Sequence, residues 1–341
     1  MAVNRDFVRR YWFLAALILL IPVGILAPEV GLTLKDSGWV IPVFVGVMLG
    51  IAGFTMDTSS LVKQATNFHA VIPVLLSIYL FSPALAYGLG VWFAPVGNEH
   101  FLPAMMIMAA QAGSLASAIA LTMMSGGNRE LALICTLASN SLTFLLTPFI
   151  LEISIGADVD FRVGQMMLRM VYMVLLPIVA GQLLRPLLWK RTEPIRPFIR
   201  IVPQFIILMF VYTGFASGAQ QLQGAPNLVL RFLAACAILH LALLAWNYLL
   251  SGWLRFGWSD RTAMMLSGSQ KTLPNGIYVW SNFFASNPYG AVPLVIYHLF
   301  QLLVDTLLVP WFEKQNPKSD GCGSKKTFNC HAEPTPSSTT D

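Results

Sequence analysis

Charge is what this chain has least of. Only 11% of its 341 residues are Asp, Glu, Lys or Arg, against about a quarter in a soluble globular domain. So little charge cannot cover a water-facing surface, which excludes an ordinary soluble protein. Catalytic signatures are missing too. There is no H-E-x-x-H, G-x-S-x-G or Walker A pattern, and without a nucleotide loop an ATP-driven pump is not expected. Gly97-Asn98-Glu99-His100 has no second histidine at helical spacing. The strict apolar–polar alternation of a transmembrane β-barrel is absent. Cysteine is scarce, four in all. Cys135 and Cys236 fall in apolar stretches, where a thiol behaves as a small hydrophobe. Cys322, Cys330 and His331 lie in a polar tail at a spacing that matches no standard metal site. No enzyme and no resident cofactor is expected, and a net charge of +5 in so apolar a chain does not imply nucleic acid.

What is present is apolar length. The chain is 56% hydrophobic, and its apolar residues come in blocks of about twenty, enough for a helix to cross a hydrocarbon core of about 30 Å. Examples are Tyr11–Pro28, Trp39–Thr55, Val71–Phe93 and Leu228–Leu254. Arg5, Arg9 and Arg10 before the first block also fit a signal peptide. Its length, with Trp12, Pro22 and Pro28 and no small-x-small site, makes it a first span instead. The blocks predict an all-α integral membrane protein of ten spans: 11–28, 39–56, 71–95, 102–125, 131–152, 164–188, 201–219, 228–254, 262–286 and 291–312.

Lys and Arg set the orientation. With a cytoplasmic N-terminus, sixteen of the 21 basic residues fall inside, among them the cluster Arg185, Lys190, Arg191, Arg196 and Arg200. Lys35, Arg162 and Arg231 fall outside, and Arg169 and Lys271 within spans. Nine or eleven spans would destroy this bias. Both termini are therefore expected in the cytoplasm, with the protein in the inner (plasma) membrane. The halves meet near Gly156–Asp160, giving a cytoplasmic segment 1–10, a first repeat 11–155, a second repeat 156–312 and a polar tail 313–341 whose composition predicts disorder. Five spans per half is odd, so the second half enters the membrane inverted, a plan common among secondary transporters.

Two segments support the symmetry. The fourth span of the first half reads Gln111-Ala-Gly-Ser-Leu-Ala-Ser117, with Gly113 and Ser114 near mid-membrane. That of the second reads Ser267-Gly-Ser-Gln-Lys-Thr-Leu273, then Pro274-Asn275-Gly276. Small residues alone also serve close helix packing. The second run adds Gly268, Ser269, Gln270, Lys271, Thr272 and Asn275, and predicts a helix that breaks and restarts. Broken backbone at that depth is tolerated only where protein buries it or it lines a cavity. Freed carbonyls there can hold a cation and freed amides an anion. A lysine at mid-span costs about 2.5–3.5 kcal/mol on insertion scales, which marks Lys271 as functional or paired. Thr136, Asn140, Thr143 and Thr147 share one helix face, as do His298, Gln301 and Asp305. Interhelical hydrogen bonding is the plainer reading for Thr147 and Asn247, while Asp305 is a conceivable partner for Lys271. His240 shares a face with Asn247.

Several motifs resemble the bile acid:sodium symporter superfamily, solute-carrier family ten, and most closely the branch of its orphan seventh member. They are Leu176-Pro-Ile-Val-Ala-Gly-Gln-Leu-Leu-Arg185, Tyr212-Thr-Gly-Phe215, Gly268-Ser-Gln-Lys-Thr-Leu273 and Val292-Pro-Leu-Val-Ile-Tyr-His298, with Gly126-Gly-Asn128 and Leu145-Leu-Thr-Pro148. The resemblance implies two inverted five-helix repeats, panel and core domains, helices four and nine broken and crossing, and sodium-coupled uptake of an organic anion. The family's sodium ligands fall on Ser117 and Ala118, on Ala132 and Thr136, and on Leu266 and Gln270. Ser117, Thr136 and Gln270 remain as a residual sodium site, but three positions have lost their oxygen ligand and no carboxylate is left. Lys271 takes the place of an Asn. Its ammonium is therefore expected to replace a sodium charge, or, since burial disfavours a charged lysine, to carry a proton. The coupling ion is accordingly sodium or a proton, and the substrate a small organic, anionic solute. An uncoupled facilitator and a non-transporting regulator of the same fold are the alternatives. Oligomeric state is not legible.

Overall fold

The structure is a computed structural model that describes residues 15–16, 19–55, 68–156, 163–217, 219 and 226–316. The N-terminal segment 1–10, the junction at 157–160, and Cys322, Cys330 and His331 lie outside the described residues, as does nearly all of the tail. Among the described residues there is helix and no strand. In chain order the helices are α1 (19–26), α2 (Glu29–Asp36), α3 (Val40–Thr55), α4 (Phe68–Phe93), α5 (Phe101–Ala109), α6 (Leu115–Met124), α7 (Arg129–Ile155), α8 (Gly164–Leu188), α9 (Arg196–Ser217), α10 (Pro226–Trp253), α11 (Trp258–Ser269), α12 (Leu273–Phe283) and α13 (Val292–Gln315).

Six helices among the described residues are long and apolar enough to cross a membrane: α4, α7, α8, α10, α13 and the stretch Glu193–Ser217 that contains α9. A seventh follows if α2 and α3, bent by 81°, form one span. The chain is a multi-pass membrane protein. The count falls below ten for local reasons. The first expected span, 11–28, lies partly outside the described residues. The spans expected at 102–125 and 262–286 are each interrupted, at 110–114 and 270–272, so neither half is long enough alone. The break between the first two spans is itself helical. It is α2, and the turn into α3 follows from Gly38 at φ +75°, a conformation that only glycine adopts freely.

Proline explains the second interruption. Pro274 stands in the first turn of α12. Had α11 continued, its ring would meet the Gln270 carbonyl and its missing N–H would leave that oxygen unbonded. The helix therefore stops at Ser269 and restarts after Thr272. The first interruption holds no proline. There Gly113 is pressed against the second, since a Cβ on it would stand 3.0 Å from the Ser267 carbonyl oxygen. α4 carries a π turn over Ser77–Phe81 just ahead of Pro83, and α8 carries one over Val171–Leu175 ahead of Pro177. Both prolines would clash in an unbroken α-helix, and the wider turn relieves this.

Packing gathers the helices into two groups. α3 lies along α8, and α9 against α2 and α3; on the other side α10 lies along α11 and α13, and α7 along α6 and α11. The start of α8 packs on α7 and joins the groups. Buried apolar side chains such as Phe101, Phe210, Phe232, Trp280 and Tyr297 fill the interior.

Candidate functional site

The two interruptions meet. Thr272 N–H donates to the Ala112 carbonyl at 2.9 Å. Away from water every backbone polar group needs a partner, and the polar face of α7 supplies partners at Ala110 and Gly113. Thr147 Oγ1 donates to Ala110 O at 2.7 Å. Gly113 N–H donates to Ser139 Oγ at 3.2 Å, and Asn140 Nδ2 donates to Gly113 O at 2.8 Å. The stripe on α7 is thus a brace. Ser139, three residues after Thr136 and outside the 4-3-4 series, belongs to it too.

α13 braces the second interruption. Gln301 Oε1 accepts from Lys271 N–H at 2.8 Å, and Gln301 Nε2 donates to Lys271 O at 3.0 Å. Gln301 Nε2 also lies 3.1 Å from His298 Nδ1. Tyr297, within the Val292–His298 motif but not marked as a site residue, donates its hydroxyl hydrogen to Ser269 O at 2.6 Å.

The Lys271 side chain runs into the protein rather than out along the helix, and the residue is 2% exposed. Its Nζ donates to Ile78 O at 2.8 Å and to Gln111 O at 3.1 Å. Ile78 lies in the π turn of α4 and Gln111 in the first interruption, so both carbonyls come from backbone outside regular α-helix. The conceivable pairing of Lys271 with Asp305 does not form. Asp305 Oδ1 instead faces His240 Nε2 at 3.0 Å, and its Oδ2 accepts from Gln270 Nε2 at 2.6 Å. α10 packs along α13 and brings His240 to the carboxylate, whereas the lysine donates to carbonyls of α4 and of the first interruption. Arg169 lies 5.8 Å from the centre of the Phe283 ring.

Of the residual sodium trio, Ser117 and Gln270 are brought together, Ser117 Oγ donating to Gln270 Oε1 at 2.6 Å. Ser114 and Ser117 hydroxyls are also 2.6 Å apart. The Thr136 hydroxyl turns back on its own helix, to Ala132 O at 2.9 Å and Leu133 O at 3.1 Å. Gly268 packs against the Asn247 side chain, which would stand 2.5 Å from a Cβ there. The Ser269 hydroxyl and both amide atoms of Asn275 are buried with no protein partner. Among the described residues no cluster of three or more His, Cys, Asp or Glu side chains is placed to hold a metal ion.

A cavity of about 420 Å³ opens beside the meeting point, within the usual size of small-molecule sites. Ser114 and Thr272, the residues that precede α6 and α12, both line it, with Ser117, Pro274 and His298. Met48, Ala52 and Thr55 of α3 and Pro203 and Gln204 of α9 face them, so the cavity lies between the two helix groups. The N-termini of two half-helices border one space, and each end carries unbonded amides and a partial positive charge.

A multi-pass helical protein whose two interrupted segments meet beside a cavity has the outline of a membrane transporter. Comparison with known proteins gives the family. The model of the SBF-like CPA transporter family matches residues 11–314, and the chain belongs to that family. It is 27% identical over 316 residues to the uncharacterised protein PA2026 of Pseudomonas aeruginosa, covering 89% of this chain and 93% of that protein. It is 25% identical over 318 residues to sodium/bile acid cotransporter 7 of Danio rerio, covering 89% and 94%. With the Mus musculus protein of that name it shares 24% over 313 residues, covering 89% and 92%.

Proposed function

We propose that the chain is a secondary active transporter that carries a small organic anion by alternating access. The observation that carries this reading is the pair of half-helix N-termini at one cavity; Lys271 precedes one of them, with its Nζ bonded to Ile78 O and Gln111 O behind the cavity-lining residues. Amide-rich helix ends and a fixed cation favour a carboxylate or another anionic group. The mostly apolar wall suits the organic remainder.

In this reading ten spans form two inverted repeats, 11–155 and 156–312. The first comprises α1, α3, α4, α5 with α6, and α7; the second α8, α9, α10, α11 with α12, and α13. The breaks then fall in the fourth span of each half, where inversion requires them. The basic residues favour cytoplasmic termini and an inner or plasma membrane.

Sodium is the coupling ion that the names of two relatives suggest. Against sodium at Ser117, Thr136 and Gln270, two of the three hydroxyl and amide groups are bonded directly to each other, and the third is spent within its own helix. The Lys271 ammonium rests on two backbone carbonyl oxygens, ligands of the kind that hold an alkali ion. We read it as a fixed charge in sodium's stead.

The test is thermal stability of the purified protein across a panel of organic anions, with sodium, with potassium and at two pH values. A ligand that binds only the folded state raises the melting temperature by mass action. Stabilisation indifferent to sodium supports the reading, and stabilisation that requires sodium removes the substitute-charge part of it. An anion that binds but moves down its own gradient regardless of any ion gradient points to an uncoupled facilitator. No stabilisation and no flux with any anion favours a non-transporting regulator.

A further inference from the structure

His240 of α10 and Asp305 of α13 are both fully buried, with Nε2 and Oδ1 3.0 Å apart. The hydrogen bonds around them fix a proton count. The Tyr297 hydroxyl is 2.6 Å from Ser269 O and must donate there, since a carbonyl oxygen only accepts. Toward His240 Nδ1, 3.3 Å away, the same hydroxyl oxygen is left to accept, so Nδ1 carries a hydrogen. A second hydrogen lies between Nε2 and Oδ1, because two bare acceptors do not rest at 3.0 Å. The pair therefore holds one proton more than a neutral imidazole beside an ionised carboxylate, and its net charge is zero.

A hydrogen-bonded chain leads from this pair to the cavity. Asp305 Oδ2 accepts from Gln270 Nε2, Gln270 Oε1 accepts from Ser117, and the Ser117 hydroxyl adjoins that of Ser114 on the cavity wall. We propose that the His240–Asp305 pair is the binding site of the coupling proton, and that Gln270 relays its occupancy through Ser117 and Ser114 to the solute cavity. The proposal rests on the transport reading above.

Charge accounting shows why such a proton and an anion would travel together. With Lys271 charged, the pair protonated and an anion bound, the crossing is neutral. With the anion gone and the proton released, Lys271 offsets the bared pair and the crossing is neutral again. Anion alone or proton alone leaves a net charge in a low-dielectric interior, where charge is costly. The loaded and the empty protein are thus the forms that interconvert.

Other titratable groups near the pair are Tyr297 and His298 on α13, Cys236 on α10, which donates to Pro293 O, and Lys271 beside Gln270. α5 and α6 contain none. On α4 the Tyr79 hydroxyl is spent on Ser139 O. Asp260 and Arg261 lie at the far end of α11, bonded to Asn128 and to Tyr248 O.

The experiment uses the full chain in lipid, free of solute. Infrared difference spectra across about pH 5 to 9 report protonation of the carboxyl and the imidazole. In parallel, Ala52→Cys in a background with Cys322 and Cys330 changed to Ser is labelled with a maleimide. Its rate is normalised to that of the unfolded protein, to remove thiol ionisation. The expected result is one protonation step involving both His240 and Asp305, absent in Asp305→Asn and altered in His240→Gln, and a cavity labelling rate that shifts with the same midpoint. In Gln270→Leu the infrared step persists and the labelling loses its pH dependence. A pair whose protonation never changes over the range would overturn the proposal, as would a pair that titrates while wild-type-background labelling ignores pH. Neither outcome depends on finding a solute, so a failed anion panel would count against the transport reading separately.

Discussion

Gln301 holds Lys271 by its backbone, accepting the N–H at 2.8 Å and donating to the carbonyl at 3.0 Å. A side-chain amide here does what the next turn of helix would otherwise do, and it lets the chain remain extended where α11 has ended. Gln301→Leu removes both bonds in a place without water. Each buried group left unsatisfied costs about 1–3 kcal/mol, so the melting temperature in detergent should fall. Gln301→Glu keeps the acceptor, but its ionised carboxylate is costly in that buried place, so it should not restore wild-type stability.

Lys271→Met should separate stability from function. The ammonium has two carbonyl partners and no carboxylate among the contacts found, and a mid-span lysine costs about 2.5–3.5 kcal/mol relative to apolar residues. Without solute the variant should melt no lower than wild type. Stabilisation by anions should drop by an order of magnitude or more in apparent affinity. A variant that binds anions as well as wild type would remove Lys271 from the site.

Ala52 of α3 lines the cavity opposite Ser114 and Thr272. Ala52→Phe should fill space without disturbing the brace around the breaks. We expect unchanged secondary structure by circular dichroism, a melting temperature near wild type and no thermal response to anions.

α3 and α8 meet through glycine. A Cβ on Gly181 would stand 2.2 Å from Gly50 O, whereas one on Gly46 would find nothing nearer than 3.9 Å. Gly181→Ala should force the helices apart and lose about 1–3 kcal/mol, the usual range for overpacking. Gly46→Ala should be silent. Denaturation of the two variants side by side checks the contrast.

Ser117 and Gln270 are 153 residues apart in sequence and 2.6 Å apart in space. A double-mutant cycle of Ser117→Ala and Gln270→Leu should give a coupling of about 0.5–3 kcal/mol in stability. Additive effects would mean that the bond contributes nothing.

Some of this could be read along the chain. The segment Gly268 to Gly276 announced a broken helix because Pro274 cannot continue one and the residues around it are small and polar. Thr147 was expected to bond between helices and does so, to Ala110 O. Lys271 stood out because a lysine ten residues into an apolar block is expensive wherever it points. α2 was not legible, since eight residues of mixed polarity, Glu29–Asp36, look like a loop when the surrounding blocks set the scale.

That the chain is helical and membrane-embedded, and that its helix fails just ahead of Pro274, follows from residues read along the chain. Block length, proline and glycine act locally, so a local reading captures them. Which buried polar groups pair is settled only when the helices pack. His240 reaches Asp305 across 65 residues, Lys271 reaches a carbonyl of α4 across 193, and Gln270 chooses Ser117. The strength of a buried polar contact depends on distances of about 3 Å, which hydropathy cannot specify. Those distances exist only once α4, α10 and α13 have packed around the breaks.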